Sequence, residues 1–217
     1  MTAISNTIDL LNLHGPSFTR LVTAPVTEAS ADIAVCTLPD GSVGRLPITA
    51  FYANRTWEIG QRYHLAATST IPPQLSATAD ELVALLLQGL SPEVRDGRVR
   101  VMGVTRHVGV RAKIAVAATS PDVDPVGACL GRAANRIKTL SAMLMGERVD
   151  VVSYHPDPER FLLNALAVSP LSVVTAEDGT VVVTVPKHQL AAARGGGNLN
   201  VVLASRLCGE KVQVLGS

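Results

Sequence analysis

The sequence predicts an α+β protein in which a small β-barrel precedes two copies of one helix–strand–strand–helix–helix–strand unit. Three observations predict it. Residues 18–69 read as several short strands joined by turn residues, the pattern of a compact barrel. Two later stretches place a loop glycine and a post-helix glycine at nearly equal spacing, Gly131 to Gly146 and Gly195 to Gly209, 15 and 14 positions apart. Each stretch then closes on Gly-Glu-basic-Val-polar-Val, at Gly146–Val151 and Gly209–Val214. A repeat of this kind constrains architecture more than any local propensity does.

The elements follow in order. Asp32–Cys36 alternates, Pro39-Asp40-Gly41 is a turn, Val43–Pro47 resumes the strand, and Glu58–Leu65 supplies a further turn and strand. Thr70-Ile71-Pro72-Pro73 breaks the pattern. Asp80–Leu90 reads as a helix with a Leu/Val face and Thr78 as its cap. The first copy then has strands at Arg98–Thr105 and Ala112–Thr119 and a turn at Asp124-Pro125-Val126. After Gly131 comes a helix from about Asn135 to Met145 with Ile137, Leu140, Leu144 and Met145 on its apolar side. The second copy has a helix near Pro158–Ala167, strands at Leu171–Thr175 and Val181–Val185 around a Glu177-Asp178-Gly179 turn, and a helix from about Leu199 to Leu207. The expected organisation is an N-terminal segment (1–16), a barrel (17–70), a linker (71–77) and two repeated domains (78–156 and 157–217).

Composition narrows the function classes. Of the 217 residues, 47% are hydrophobic and only 3% aromatic, so the cores must be built from Val, Leu, Ile and Ala. Cys36, Cys129 and Cys208 are far apart and form no CxxC pair, which argues against a zinc site or a disulfide framework. With no apolar run near membrane-span length and no signal-peptide pattern, reduced thiols in a cytoplasmic protein are expected, with no membrane partner. The net charge of +1 hides a gradient. Residues 1–98 hold six Lys/Arg against nine Asp/Glu, residues 99–150 eight against four, and residues 151–217 five of each. The middle of the chain is where a phosphate backbone is expected to dock. The five histidines are scattered without metal-ligand spacing, and Asp122, Asp124, Asp157 and Glu159 sit beside prolines as turn or cap residues. No enzyme, metal, cofactor or small-molecule substrate is therefore expected.

The glycine loops carry the chemistry. Glycine lets a backbone approach a ligand closely, and a following helix N-terminus offers N–H groups and partial positive charge to phosphate. KH domains clamp about four nucleotides with such a GXXG loop. The first loop reads Gly131-Arg132-Ala133-Ala134-Asn135-Arg136, with Lys138 beyond; the second reads Arg194-Gly195-Gly196-Gly197-Asn198. Both lack the closing glycine, replaced by Ala134 and Asn198. Asn tolerates a left-handed backbone, whereas Ala is penalised there unless the loop changes shape.

From about Leu75 onward the sequence resembles the KH pair of the bacterial NusA transcription factor family. The carrying stretches are Ser91–Val99, Gly103–Arg106, Arg111–Val116, Asp122–Gly131, Asn164–Leu166, Val183–Leu190 and Leu203–Gly209. The barrel is similar to the OB-type barrel of the ribosomal S1 class, with Gly44-Arg45-Leu46-Pro47 as its best piece. The resemblance implies an OB-type barrel followed by two tandem type II KH domains. It also implies a role in transcription elongation, termination or antitermination through contacts to single-stranded RNA, the nascent transcript. Residues 1–16 are too short for the polymerase-gripping N-terminal domain of that family, and no acidic C-terminal extension is seen. The RNA-binding residues expected are the two loops, Gly131–Arg136 with Lys138 and Arg194–Asn198 with Asn200, together with Arg106, Arg111 and Lys113. Phe51, Tyr52, Trp57 and Tyr63 are the barrel's candidates for base stacking. The alternative is a protein-interaction module on RNA polymerase, elongation factors or ribosomal machinery, with little RNA binding.

Overall fold

The computed structural model describes residues 17–48 and 57–217. The N-terminal segment 1–16 and the barrel aromatics Phe51 and Tyr52 lie outside the described residues. Strands β1 (Phe18–Ala29), β2 (Ile33–Thr37), β3 (Val43–Pro47), β4 (Arg62–Thr68) and β5 (Leu75–Ser76) form one sheet in the order β3-β2-β1-β4-β5. A parallel bridge between Arg45 and Gln74 brings its edges together, giving the nearly closed five-stranded barrel of an OB-type fold. Register shifts near Phe18–Arg20 and Val26–Glu28 mark bulges that bend the long β1 so that it serves both halves. Alternation turns Val22, Ala24 and Val26 inward against Ala34, Cys36, Leu46 and Leu65. Closure needs a glycine at position 44, because a Cβ there would lie 2.6 Å from Leu75 Cδ1. The Asp40–Gly41 turn forms as its residues require: Gly41 has φ +81° and Asp40 Oδ1 accepts the Ser42 N–H at 2.9 Å.

The first repeated unit comprises α1 (Glu81–Leu90), α2 (Pro92–Arg95), β6 (Val99–His107), β7 (Arg111–Ala118), α3 (Pro125–Leu130), α4 (Asn135–Met143) and β8 (Arg148–Ser153). The second comprises α5 (Pro158–Leu166), β9 (Ser172–Thr175), β10 (Val181–Val185), α6 (Lys187–Arg194), α7 (Leu199–Cys208) and β11 (Val212–Gly216). In each, the first two strands are antiparallel and the central and last are parallel, the mixed sheet of a type II KH domain. Asp124 and Asp157 cap α3 and α5 by accepting the N–H groups of Val126 (3.1 Å) and Arg160 (3.2 Å), and a proline opens each helix. Two local expectations change. Thr78 does not cap α1; Ser76 Oγ instead accepts the N–H groups of Thr78 and Ala79, at 3.1 and 2.9 Å. Met145 lies past the end of α4 at φ +59° and is 37% exposed, while Ile137, Leu140 and Leu144 do join the core.

The three parts share cores. Leu82–Leu87 of α1 pack with Ile114, Val116 and Leu140 and also with Phe18, Leu21 and Ala66 of the barrel. The outward face of the first KH sheet is buried too: Ala115 and Val152 belong to the core of the second KH domain, with Met102 packed against it. A Cβ on Gly103 would already lie 3.3 Å from Leu207 of α7. Burial pushes the thiols of Cys129 and Cys208 up to about 12, which suppresses the reactive thiolate.

One buried ion pair joins the barrel to the first KH domain. Arg106 and Glu147 have side chains 2% and 0% exposed. Arg106 donates twice to Glu147, Nε to Oε1 at 2.9 Å and Nη2 to Oε2 at 2.8 Å. Its Nη1 donates to the carbonyls of Ala79 (2.7 Å) and Ala77 (3.4 Å), on the segment leading in from the barrel. Glu147 Oε2 also accepts the N–H of Gly109 in the β6–β7 turn at 2.8 Å. Beside this pair, burial pushes the Asp80 carboxyl up to about 6, and Glu81 and Glu147 add to the effect against the opposing pull of Arg106. Removing one partner of a fully bonded pair strands the other charge in a buried site. Glu147→Gln is expected to lower the unfolding free energy by about 3–5 kcal/mol, read by urea denaturation; a loss under about 1 kcal/mol would mean that the pair is dispensable.

Candidate nucleic-acid interface

The two glycine loops have the same backbone shape. In the first, Gly131 sits at φ +70°, ψ 176°, Ala133 at +52°, 30°, and Ala134 at +58°, 27°, before Asn135 enters α4 at −65°, −39°. In the second, Gly195 sits at +68°, 172°, Gly197 at +58°, 26°, and Asn198 at +64°, 15°, before Leu199 enters α7 at −61°, −34°. The largest difference between matching angles is 12°, in ψ of Ala134 and Asn198. The missing closing glycine therefore does not change the loop. Ala134 adopts the left-handed conformation outright, and so does Ala133. Each costs about 1–2 kcal/mol in that region.

Something must hold the first loop against that strain, and Arg136 is placed to do it. Its side chain folds back across Gly131, where a Cβ would lie 2.6 Å from Arg136 Cγ. Its Nη1 donates to Glu93 Oε2 at 2.8 Å and to the Ala128 carbonyl at 2.5 Å. The guanidinium thus ties α4 to α2 and to the end of α3. The carboxyl of Glu93 is held below its usual range first by its own backbone N–H, then by Ser91 Oγ, which donates to it at 3.0 Å, and by Arg136. At the matching position of the second loop, Asn200 is 2% exposed and its Nδ2 donates to the carbonyls of Leu166 (3.0 Å) and Ala193 (2.8 Å). Both residues read as RNA contacts are braces beneath their loops.

The strand cations are engaged as well. Arg106 is the buried partner of Glu147. Lys113 is 1% exposed, and its Nζ lies 3.1 Å from Asp150 Oδ2. Arg111 meets the same oxygen at 2.5 Å, and Arg148 meets Oδ1 at 3.2 Å. Burial works against the Asp150 carboxylate, but Lys113 and Arg111 outweigh it and hold the carboxyl below its usual range. Burial also pulls the Lys113 ammonium down. Of the eight cations in residues 99–150, five are in ion pairs among the described residues, where Arg100, Arg132 and Lys138 are not. Arg132 and Lys138 are exposed at the first loop, and Lys138 Nζ reaches back to the Ala133 carbonyl at 3.2 Å. In the second loop Arg194 is exposed but donates from Nε and Nη2 to the Val214 carbonyl, at 3.2 and 2.8 Å, while Gly196, Gly197 and Asn198 are open to solvent. Arg111 also approaches this loop from the neighbouring domain: its Nη1 lies 3.6 Å from where a Cβ on Gly195 would be.

Of the described barrel aromatics, Trp57 is 6% exposed and belongs to the barrel core. Tyr63 packs edge-on to it with ring centroids 4.6 Å apart and is half-buried at the rim. Among the described residues no three His, Cys, Asp or Glu gather as a metal-ligand set, and no helix is long and apolar enough to cross a membrane.

Residues 77–154 match the family described as NusA-like first KH domain. Over 177 residues the chain is 36% identical to a protein named transcription termination/antitermination protein NusA from Halalkalibacterium halodurans, covering 78% of this chain and 46% of that one. The protein of the same name from Bacillus subtilis is 34% identical over 177 residues, covering 78% and 48%. The one from Thermus thermophilus is 37% identical over 142 residues, covering 64% and 36%. The chain spans about half the length or less of these curated relatives.

The loop geometry carries its own test. Ala134→Gly removes the left-handed penalty of about 1–2 kcal/mol while adding some unfolded-state entropy. The net expectation is a stabilisation of about 0.5–1 kcal/mol in chemical denaturation; destabilisation would mean that position 134 is not left-handed.

Proposed function

We propose, from the premise that this chain belongs to the NusA family, that it binds single-stranded RNA through its two KH loops and acts on transcription termination or antitermination. The observation that carries this reading is the matched pair of loops. Gly131–Ala134 and Gly195–Asn198 keep one backbone conformation despite different sequences, and each opens directly into a helix N-terminus. Held from beneath by Arg136, this strained shape presents Arg132, Ala133 and Asn135 to solvent. It suits phosphates laid against a helix start. The first loop supplies the exposed charge, Arg132 and Lys138. The second supplies open glycine backbone, with Arg111 of the first domain at its edge.

Anisotropy titrations with single-stranded RNA over a range of salt concentrations test this. Arg132→Glu with Lys138→Glu is expected to weaken binding about tenfold or more and to flatten the salt dependence by about 1–2 units of log–log slope. Arg136 is left intact, since its loss would open the brace to Glu93. Unchanged affinity and slope in the double variant would reject the first loop as the contact.

A second reading has one observation in its favour. The outward face of the second KH sheet presents Val174, Val182, Thr184, Gln213 and Leu215, with no charge, and Val174 and Leu215 are 59% and 38% exposed. The equivalent face of the first KH domain is covered by the second. A protein-interaction module toward RNA polymerase or an elongation factor would use such a face. Its expected outcome is recovery of a polymerase or elongation-factor subunit by affinity capture after nuclease treatment; loss of every partner on nuclease treatment argues against it.

A further inference from the structure

We infer that the cleft between the barrel and α4 is a nucleobase pocket, taking one unstacked base of an RNA strand that continues past the first glycine loop. The inference rests on the RNA-binding reading above and adds a site to it. The cleft has a volume of about 390 Å³, within the roughly 300–1,000 Å³ of small-ligand sites. One wall is the start of β4 and the residue before it, with Gln61, Arg62, Tyr63 and His64; the other is the later part of α4, with Thr139, Ala142 and Met143.

The wall chemistry selects for a base. Tyr63 is fixed before any ligand arrives: its ring packs edge-on to Trp57 and its hydroxyl accepts the Glu58 N–H at 3.4 Å. A rigid aromatic and a polarisable thioether suit the flat face of a heterocycle. His64 is held by Thr23, Oγ1 to Nδ1 at 2.9 Å, and Arg62 by one Nη on the Thr23 carbonyl at 2.8 Å. The rest of the Arg62 guanidinium and the exposed Gln61 amide offer donors and an acceptor to a base edge, and the Thr139 hydroxyl, which donates to the Asn135 carbonyl at 3.0 Å, adds an acceptor. A bare phosphate would leave the aromatic and thioether walls unused. An aliphatic side chain would leave the polar groups unmet, at a cost.

Position ties the cleft to the loop. α4 begins at the first glycine loop and ends at the cleft. Lys138, Thr139 and Ala142 are exposed along it. From Asn135, the first residue of α4, to Ala142 is seven positions, about 10 Å of helix rise. A strand extending a few nucleotides beyond the roughly four held by a KH loop covers that distance. Lys138 and Arg62 then mark cations along the path.

The test is a length ladder of single-stranded RNA, from about four nucleotides to about ten and extended at either end, titrated by anisotropy against the full chain and against Ala142→Glu and Ala142→Trp. Both substitutions are at an exposed helix position; one repels the strand and the other fills the cleft without charge. The parent is expected to gain about tenfold in affinity on extension. Both variants are expected to bind the shortest oligomer as the parent does and to lose the gain. A 4-thiouridine in the extension should crosslink to Tyr63 or Met143. If parent and variants gain equally and crosslinks are confined to residues 131–138 and 194–200, the pocket is rejected while RNA binding by the loops stands. If no oligomer binds the parent, the RNA-binding reading fails and the pocket with it.

Discussion

The arrangement of this chain depends on a guanidinium and a carboxylate that share a site closed to solvent. Burying two charges is expensive, and the attraction between them offsets that cost only when every remaining donor and acceptor finds a partner. Arg106 and Glu147 meet the condition. The pair is bidentate, and the spare bonds go to Ala77, Ala79 and Gly109. Those partners lie on the chain leaving the barrel and in the β6–β7 turn, and Glu147 itself immediately precedes β8. One interaction therefore fixes how α1 leaves the barrel and where the first KH sheet closes. It also fixes the orientation of the barrel against α4, since both pack on the core beneath it. Glu210 holds the matching place in the second repeat but lines an open groove beside α5. The same Gly-Glu motif is a buried latch in one copy and a surface feature in the other.

A second polar cluster sets the relation between the two KH domains. Asp150 gathers Arg111, Lys113 and Arg148 on the face of the first sheet that meets the second domain. Ala115 and Val152 on that face complete the second domain's core, and Gly103 lets Leu207 approach. Continuity of packing of this kind leaves little freedom for the two loops to move independently. Their spacing is a property of the core. That rigidity fixes the distance between two loops with unequal assets, exposed cations at the first and bare backbone at the second.

The loops also show how a motif can erode in sequence and persist in shape. Two alanines occupy left-handed conformations because the chain on both sides is already committed: Gly131 ends α3, and α4 is held down by Leu140, Leu144 and the Arg136–Glu93 bond. The strain of the two alanines, about 2–4 kcal/mol together, is offset by the burial of Leu140 and Leu144, at about 1.5–3 kcal/mol for each large aliphatic side chain. What the substitutions remove is conformational ease rather than the site.

The sequence alone determined the fold class, since the features that report it are local or periodic. Glycine spacing, the repeated Gly-Glu-basic-Val ending, proline-led helices and period-two strands each act within a few residues. It also located both loops, because a glycine that stops one helix and starts another is visible in one dimension. It did not tell which cations face solvent. Arg106, Lys113, Arg111 and Arg136 count as positive charge along the chain, yet each is paired with a carboxylate 39 to 43 residues away or, for Lys113, 37. Pairings at that separation are set by sheet register and helix packing, which charge arithmetic does not contain. For the same reason Tyr63 was legible as an aromatic but the cleft around it was not: its other wall, Thr139 to Met143, belongs to a helix more than 70 residues further on. Propensity and spacing decide elements; only the tertiary structure, by bringing distant elements to one surface, decides which of their side chains are left free to meet a ligand.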